Sequence, residues 1–265
     1  MPDLTQALSA ERKALSLWFN TSLGQRIMGT EQALHDELLE DSFGYHLIQI
    51  SAQDSPLFEK SPILSKVCLG EDGLLAPQLI ASPLQMPIAS DQVDLVLLHH
   101  LLEFSDRPQA LLAESARMVM PMGTLIITAF NPLSLWGLRK RLSGATARPP
   151  FRGHFWSAYR LMDWLNLLNF KVDRVLFADF GLPWSVRRLP PPSFGLGLGR
   201  RYTLPTGGVY MLVARKVVGP LTPIRSPSNR RSIRFSGLGL SQPSTGGLTP
   251  SRRTKGAVEV ADTDD

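Results

Sequence analysis

Two adjacent histidines, His99 and His100, close the apolar run "VDLVLLHH", and Glu103 follows three residues later. Histidines at the end of a buried strand read as hydrogen-bonded structural residues or as proton acceptors near neutral pH, and His99 is the expected acceptor if the reaction releases a proton. Neighbouring side chains on a regular strand point to opposite faces, so the pair is not expected to hold a metal, and no other metal site is expected. A second polar set, Gln49, Ser51, Gln53 and Ser55, follows the apolar residues Leu47, Ile48 and Ile50. It reads equally as a surface loop or as a cofactor turn without glycine, since no glycine occurs between Tyr45 and Cys68. Glu71 and Asp72 stand between Gly70 and Gly73, as a simple turn or as paired acceptors.

These residues need strands and helices to hold them. Apolar runs at 45–51, 65–70, 78–82, 93–99, 123–130, 170–178 and 208–216 predict seven strands. Helical spacing covers 5–40, with Gly24 and Gly29 as expected interruptions. It recurs over 107–120, capped by Ser105 or Asp106 and stopped by Pro121, and again over 157–170. Strands alternating with helices predict an α/β fold, a three-layer arrangement with a mostly parallel sheet and helices on both faces. The segment 131–156 lacks a clear period and is rich in Pro, Gly and Arg, which predicts a lid or binding loop. Its Trp136, Arg139, Lys140 and Arg141 suit either an acidic acceptor or a solvated helix.

The chain has 265 residues, 43% of them hydrophobic, enough to bury a sizeable core. Of the net charge of +5, most falls after residue 215, where eight basic residues face four acidic ones. The basic balance therefore describes a tail more than a nucleic-acid-binding face, and nucleic acid is a disfavoured partner. Pro, Ser, Gly, Thr and Arg dominate 217–265, a composition that predicts disorder. The expected organisation is a helical segment at 1–43, a core domain at 44–216 and the basic tail at 217–265. The single cysteine, the absence of a signal-peptide pattern and the lack of a long apolar run lead to an expected cytoplasmic location away from membranes. No G-x-G-x-x-G is present to seat a dinucleotide.

The stretch 82–132 contains Met86-Pro87-Ile88, Asp94-Leu95-Val96, His100-Leu101-Leu102-Glu103 and Pro121-Met122-Gly123. In order and spacing it resembles the type-11 domain of class I S-adenosylmethionine-dependent methyltransferases, and the likeness extends more weakly over 44–216. The resemblance implies a Rossmann-like seven-stranded sheet with an antiparallel final pair and S-adenosyl-L-methionine as cofactor. It also implies an unidentified methyl acceptor, expected to be a small molecule. Carried onto this chain, the cofactor-binding positions are Gln49 and Ser51 in the first turn, Glu71 or Asp72 for the ribose, and Ser82 for the adenine. Leu98 and His99 line the transfer pocket. The family's first-turn glycines fall on Ser51, Gln53 and Ser55, so the signature is degenerate. The alternative reading is a methyltransferase fold that binds but does not catalyse.

Overall fold

The structure is a computed structural model and describes residues 4–53, 55–70, 79–144, 148–183 and 205–217. Two helices, α1 (Leu4–Phe19) and α2 (Ser22–Glu40), precede the strands β1 (His46–Ser51), β2 (Ser65–Gly70), β3 (Leu79–Ile80) and β4 (Val93–His99). A 3-10 turn at Leu102–Phe104 leads into α3 (Pro108–Met118), β5 (Val119–Phe130), α4 (Leu135–Ser143), α5 (Ala158–Leu167), β6 (Phe170–Ala178) and β7 (Val209–Lys216).

The seven strands form one sheet in the order β3-β2-β1-β4-β5-β7-β6. The five strands from β3 to β5 run parallel, and β7 pairs antiparallel with both β5 and β6. The fold is α/β, a Rossmann-like three-layer sandwich. From β1 the chain winds outward to β2 and β3, then returns to β4 on the other side of β1. That reversal makes the carboxyl ends of β1 and β4 a topological switch point, the place where open α/β sheets bind ligands. The central strands are near-continuous apolar runs because both sheet faces are covered. Leu95, Val96, Leu97 and Leu98 of β4 are all buried.

Four local expectations change. The N-terminal helical stretch breaks at Asn20–Thr21, where the Thr21 hydroxyl caps α2 by accepting from the Gly24 N–H. Gly24 and Gly29 both lie inside α2. A Cβ on Gly24 would come within 2.4 Å of the Trp18 carbonyl oxygen, so glycine there lets α2 cross closely over the end of α1. Helix α3 ends at Met118, before Pro121, which falls in the first part of β5. The β4–β5 register shifts in this stretch and becomes regular at Thr124, where proline's missing N–H no longer matters. Finally, 131–156 contains a helix. The Ser134 hydroxyl accepts from the Trp136 and Gly137 N–H groups and starts α4, while Ser105 binds the Arg107 N–H without capping α3.

Helices α1 and α2 share the apolar core through Leu15, Phe19, Ile27, Leu34, Leu38 and Leu39. The expected tail, from residue 218 onward, lies outside the described residues. Among those described, no helix is long and apolar enough to cross a membrane.

Candidate active site

Ser51, His99 and Thr128 occupy one register row at the carboxyl ends of β1, β4 and β5, so their side chains share a sheet face. Helix α2 lies against that row and presents Glu31 and His35, one helical turn apart. The Glu31 carboxylate receives two imidazoles, His100 Nε2 at 2.7 Å and His99 Nε2 at 3.1 Å. The other ring nitrogens are also occupied. His100 Nδ1 lies 2.9 Å from Glu103 Oε1, and His99 Nδ1 lies 3.0 Å from the Ser51 hydroxyl. His35 joins the same network, with Nδ1 on the Glu31 carbonyl oxygen and Nε2 on the Thr128 hydroxyl.

The partners fix the protons, since each nitrogen must complement what it faces. His100 has a carboxylate at each nitrogen and donates from both. His99 donates to Glu31 and accepts from the Ser51 hydroxyl. Burial would lower the pKa of His100, but the charges of Glu31 and Glu103 outweigh it and raise the value to about 10. Burial would raise that of Glu31, yet the charge and hydrogen bonds of His100 hold it at about 2. Burial, aided by the charge on His100, lowers His99. Burial and the neighbouring His99 lower His35 to about 4.

All four side chains are essentially inaccessible: Glu31, His99 and His100 are 0% exposed and His35 1%. His99 therefore has neither a free nitrogen nor a surface from which to take a proton. The expected separation of the two histidines also fails. His100 follows the strand with φ of 49°, a left-handed conformation that swings its ring back beside His99, at 4.6 Å between centroids. One atom each from Glu31, His99 and His100 then lies within 4.8 Å of the others, a donor set that could hold a cation.

Beside this hub the first turn is closed by its own side chains. Gln49 donates to the Ser55 carbonyl oxygen at 2.9 Å and accepts from the Leu57 N–H at 2.7 Å. Ser51 accepts from the Gln53 N–H at 3.1 Å. Gln49, Ser51 and Leu98 are buried. Ser82, beyond β3, is exposed, while Glu71 and Asp72 lie outside the described residues. The structure thus brings Ser51 and His99 to one sheet face at the β1–β4 ends, turns Leu98 to the opposite face, and leaves Ser82 exposed. The polar side chains of the first turn are satisfied by the turn's own backbone.

Sequence reasoning passed over Glu31 and His35. The available signal was two polar residues on the otherwise apolar face of α2 that carries Ile27, Leu34 and Leu38. It also passed over Asp179, which accepts from Arg26 of α2 at 3.1 Å and from the Trp136 indole at 3.0 Å, tying α2 to α4.

A reversing parallel sheet with an antiparallel β7 defines a Rossmann-like α/β protein, and known proteins narrow the class further. The methyltransferase domain family described as Methyltransf_11 matches residues 58–127, beginning just after the closed first turn. The uncharacterized protein YafS of Escherichia coli K12 is 32% identical over 195 residues, covering 72% of this chain and 78% of its own. An S-adenosylmethionine-dependent methyltransferase from Thermotoga maritima shares the fold with a TM-score of 0.55 at 17% identity, over 73% of this chain and 91% of that one. A chain from the complex containing the Haloferax volcanii Trm112 methyltransferase activator aligns with a TM-score of 0.53 at 14% identity, over 79% and 98% of the two chains. The chain belongs to the class I S-adenosylmethionine-dependent methyltransferase family, with a degenerate first-turn motif.

Proposed function

We propose that the chain binds S-adenosylmethionine across the carboxyl ends of β1, β2 and β4 and transfers its methyl group to a small-molecule acceptor. The observation that carries this reading is the strand reversal between β1 and β4, within a chain whose methyltransferase match runs through β4 and into β5. The cofactor would bring an activated methyl sulfonium, so the protein's share is to hold and align. Ser82 is assigned to the adenine and Ser51 to the wall beside β4; the ribose acceptor falls to Glu71 or Asp72, which lie outside the described residues. His99 positions Ser51 through their hydrogen bond. The segment 131–156, carrying α4, covers the acceptor side. Ser82→Arg is expected to weaken cofactor binding, and unchanged affinity would count against this placement.

The closed first turn favours a second reading, in which the fold binds a ligand without turning it over. Incubating the full chain with S-adenosylmethionine and a cell-derived small-molecule fraction, and following S-adenosylhomocysteine formation, separates the two. Product formed at a rate proportional to protein supports transfer. Cofactor binding without product supports the binding module.

A further inference from the structure

We propose that Glu31, His99 and His100 form a structural site for one first-row divalent transition-metal ion, with Ser51 and Glu103 as outer partners. The two Nε2 atoms converge on the two oxygens of one carboxylate, at 3.1 Å for His99 and 2.7 Å for His100. An ion held at about 2.1 Å from imidazole nitrogen and carboxylate oxygen sees ligand atoms at right angles roughly 3 Å apart. These spacings are hydrogen bonds in the metal-free protein; once both Nε2 protons are released to solvent on metal binding, they fit such edges, with Glu31 chelating through both oxygens.

The remote nitrogens are arranged as metal-bound imidazoles require. Each Nδ1 faces an oxygen, Glu103 Oε1 at 2.9 Å and Ser51 Oγ at 3.0 Å; with the ion on Nε2, His99 would carry its proton on Nδ1 and donate to Ser51, the reverse of the metal-free bond. His100 reaches this position only through its left-handed φ of 49°. Charge points the same way. Glu31 and Glu103 are two buried carboxylates whose ion pairs among the described residues are to histidine alone. A divalent ion would balance both. Glu103 Oε2 is buried without a hydrogen-bond partner, so the pocket has unused negative capacity.

Imidazole and carboxylate donors suit zinc, iron, nickel or copper rather than calcium. Rings close the surroundings: Phe130 lies 4.2 Å from His100 between centroids and Phe19 5.8 Å from His99. Ligands that are wholly buried leave no open coordination position, which makes the role structural. The ion would fasten α2 to the end of β4.

The test uses the full chain, purified without a histidine tag or chelator, and measures metal content by elemental analysis. About one ion per chain is expected, with removal by a strong chelator lowering the melting temperature and readdition restoring it. Cobalt(II) added to the stripped protein should give d–d absorption that persists in Cys68→Ser and is lost in Glu31→Gln. Glu103→Gln should weaken cobalt affinity about 10–100-fold. Substoichiometric metal in the wild-type chain, with no melting shift on adding zinc, cobalt, nickel or iron(II), would overturn the site whether or not the variants fold. Equal cobalt binding by folded Glu31→Gln would also overturn it.

Discussion

Glu31 sits between two imidazoles with no accessible surface, so its loss leaves two buried Nε2 donors without their acceptor and the His100 charge with Glu103 alone. In the metal-free protein, Glu31→Ala is expected to cost about 3–5 kcal/mol, read as a lower urea midpoint. The same network sets the pH profile. His100 has its pKa raised from 6.5 to about 10, so its contribution is complete below pH 6.5 and is lost as pH climbs toward 10. Glu31 is lowered from 4.5 to about 2, so its contribution is lost as pH falls through that range. His35 is lowered from 6.5 to about 4 and resists protonation, so stability also falls across that window on acidification. Urea midpoints of chelator-treated protein should therefore peak near neutrality and decline on both sides. A profile still rising toward pH 10 would contradict the assigned charge on His100. Gln49→Ala strips partners from the Ser55 carbonyl and Leu57 N–H and is expected to cost about 1–3 kcal/mol by urea unfolding. At this scale the sequence was least legible. Glu31 and His99 are 68 residues apart, and no local pattern announces that a left-handed residue 100 will bring two adjacent rings together.

At the scale of elements the strands were legible because buried parallel strands need unbroken apolar runs. Those expected at 45–51, 65–70 and 93–99 appear as His46–Ser51, Ser65–Gly70 and Val93–His99. Helix ends were less legible. Pro121 looked like a stop for α3, but extended backbone had already begun at Val119. Helix α4 was hidden by its setting. Its signal is the Ser134 cap rather than an inward apolar face, and Leu135, Leu138 and Leu142 are exposed. Ser134→Ala is expected to destabilise the protein by about 1 kcal/mol in urea. Gly137→Ala should be worse, because an added Cβ would meet the Pro132 carbonyl and push α4 off its approach to Asp179. If Gly137→Ala unfolds at the wild-type midpoint, the close packing of α4 is wrong.

For the molecule as a whole, the family explains the sheet order and this chain's own residues explain its departure from the family pattern. The strand reversal between β1 and β4 is retained, while Gln49 and Ser51 tie up the first turn with side-chain hydrogen bonds where the family carries glycines. The composition of 217–265 leads to the proposal that trypsin removes this segment first and leaves a resistant body containing the sheet. The central claim is that the β1–β4 switch point still accepts a sulfonium nucleoside from its Ser82 side. Equilibrium dialysis of the full chain against radiolabelled S-adenosylmethionine tests it most directly. Saturable binding of about one molecule per chain, competed by S-adenosylhomocysteine and weakened in Ser82→Arg, is the expected result. A folded protein that retains no label at millimolar cofactor would contradict it.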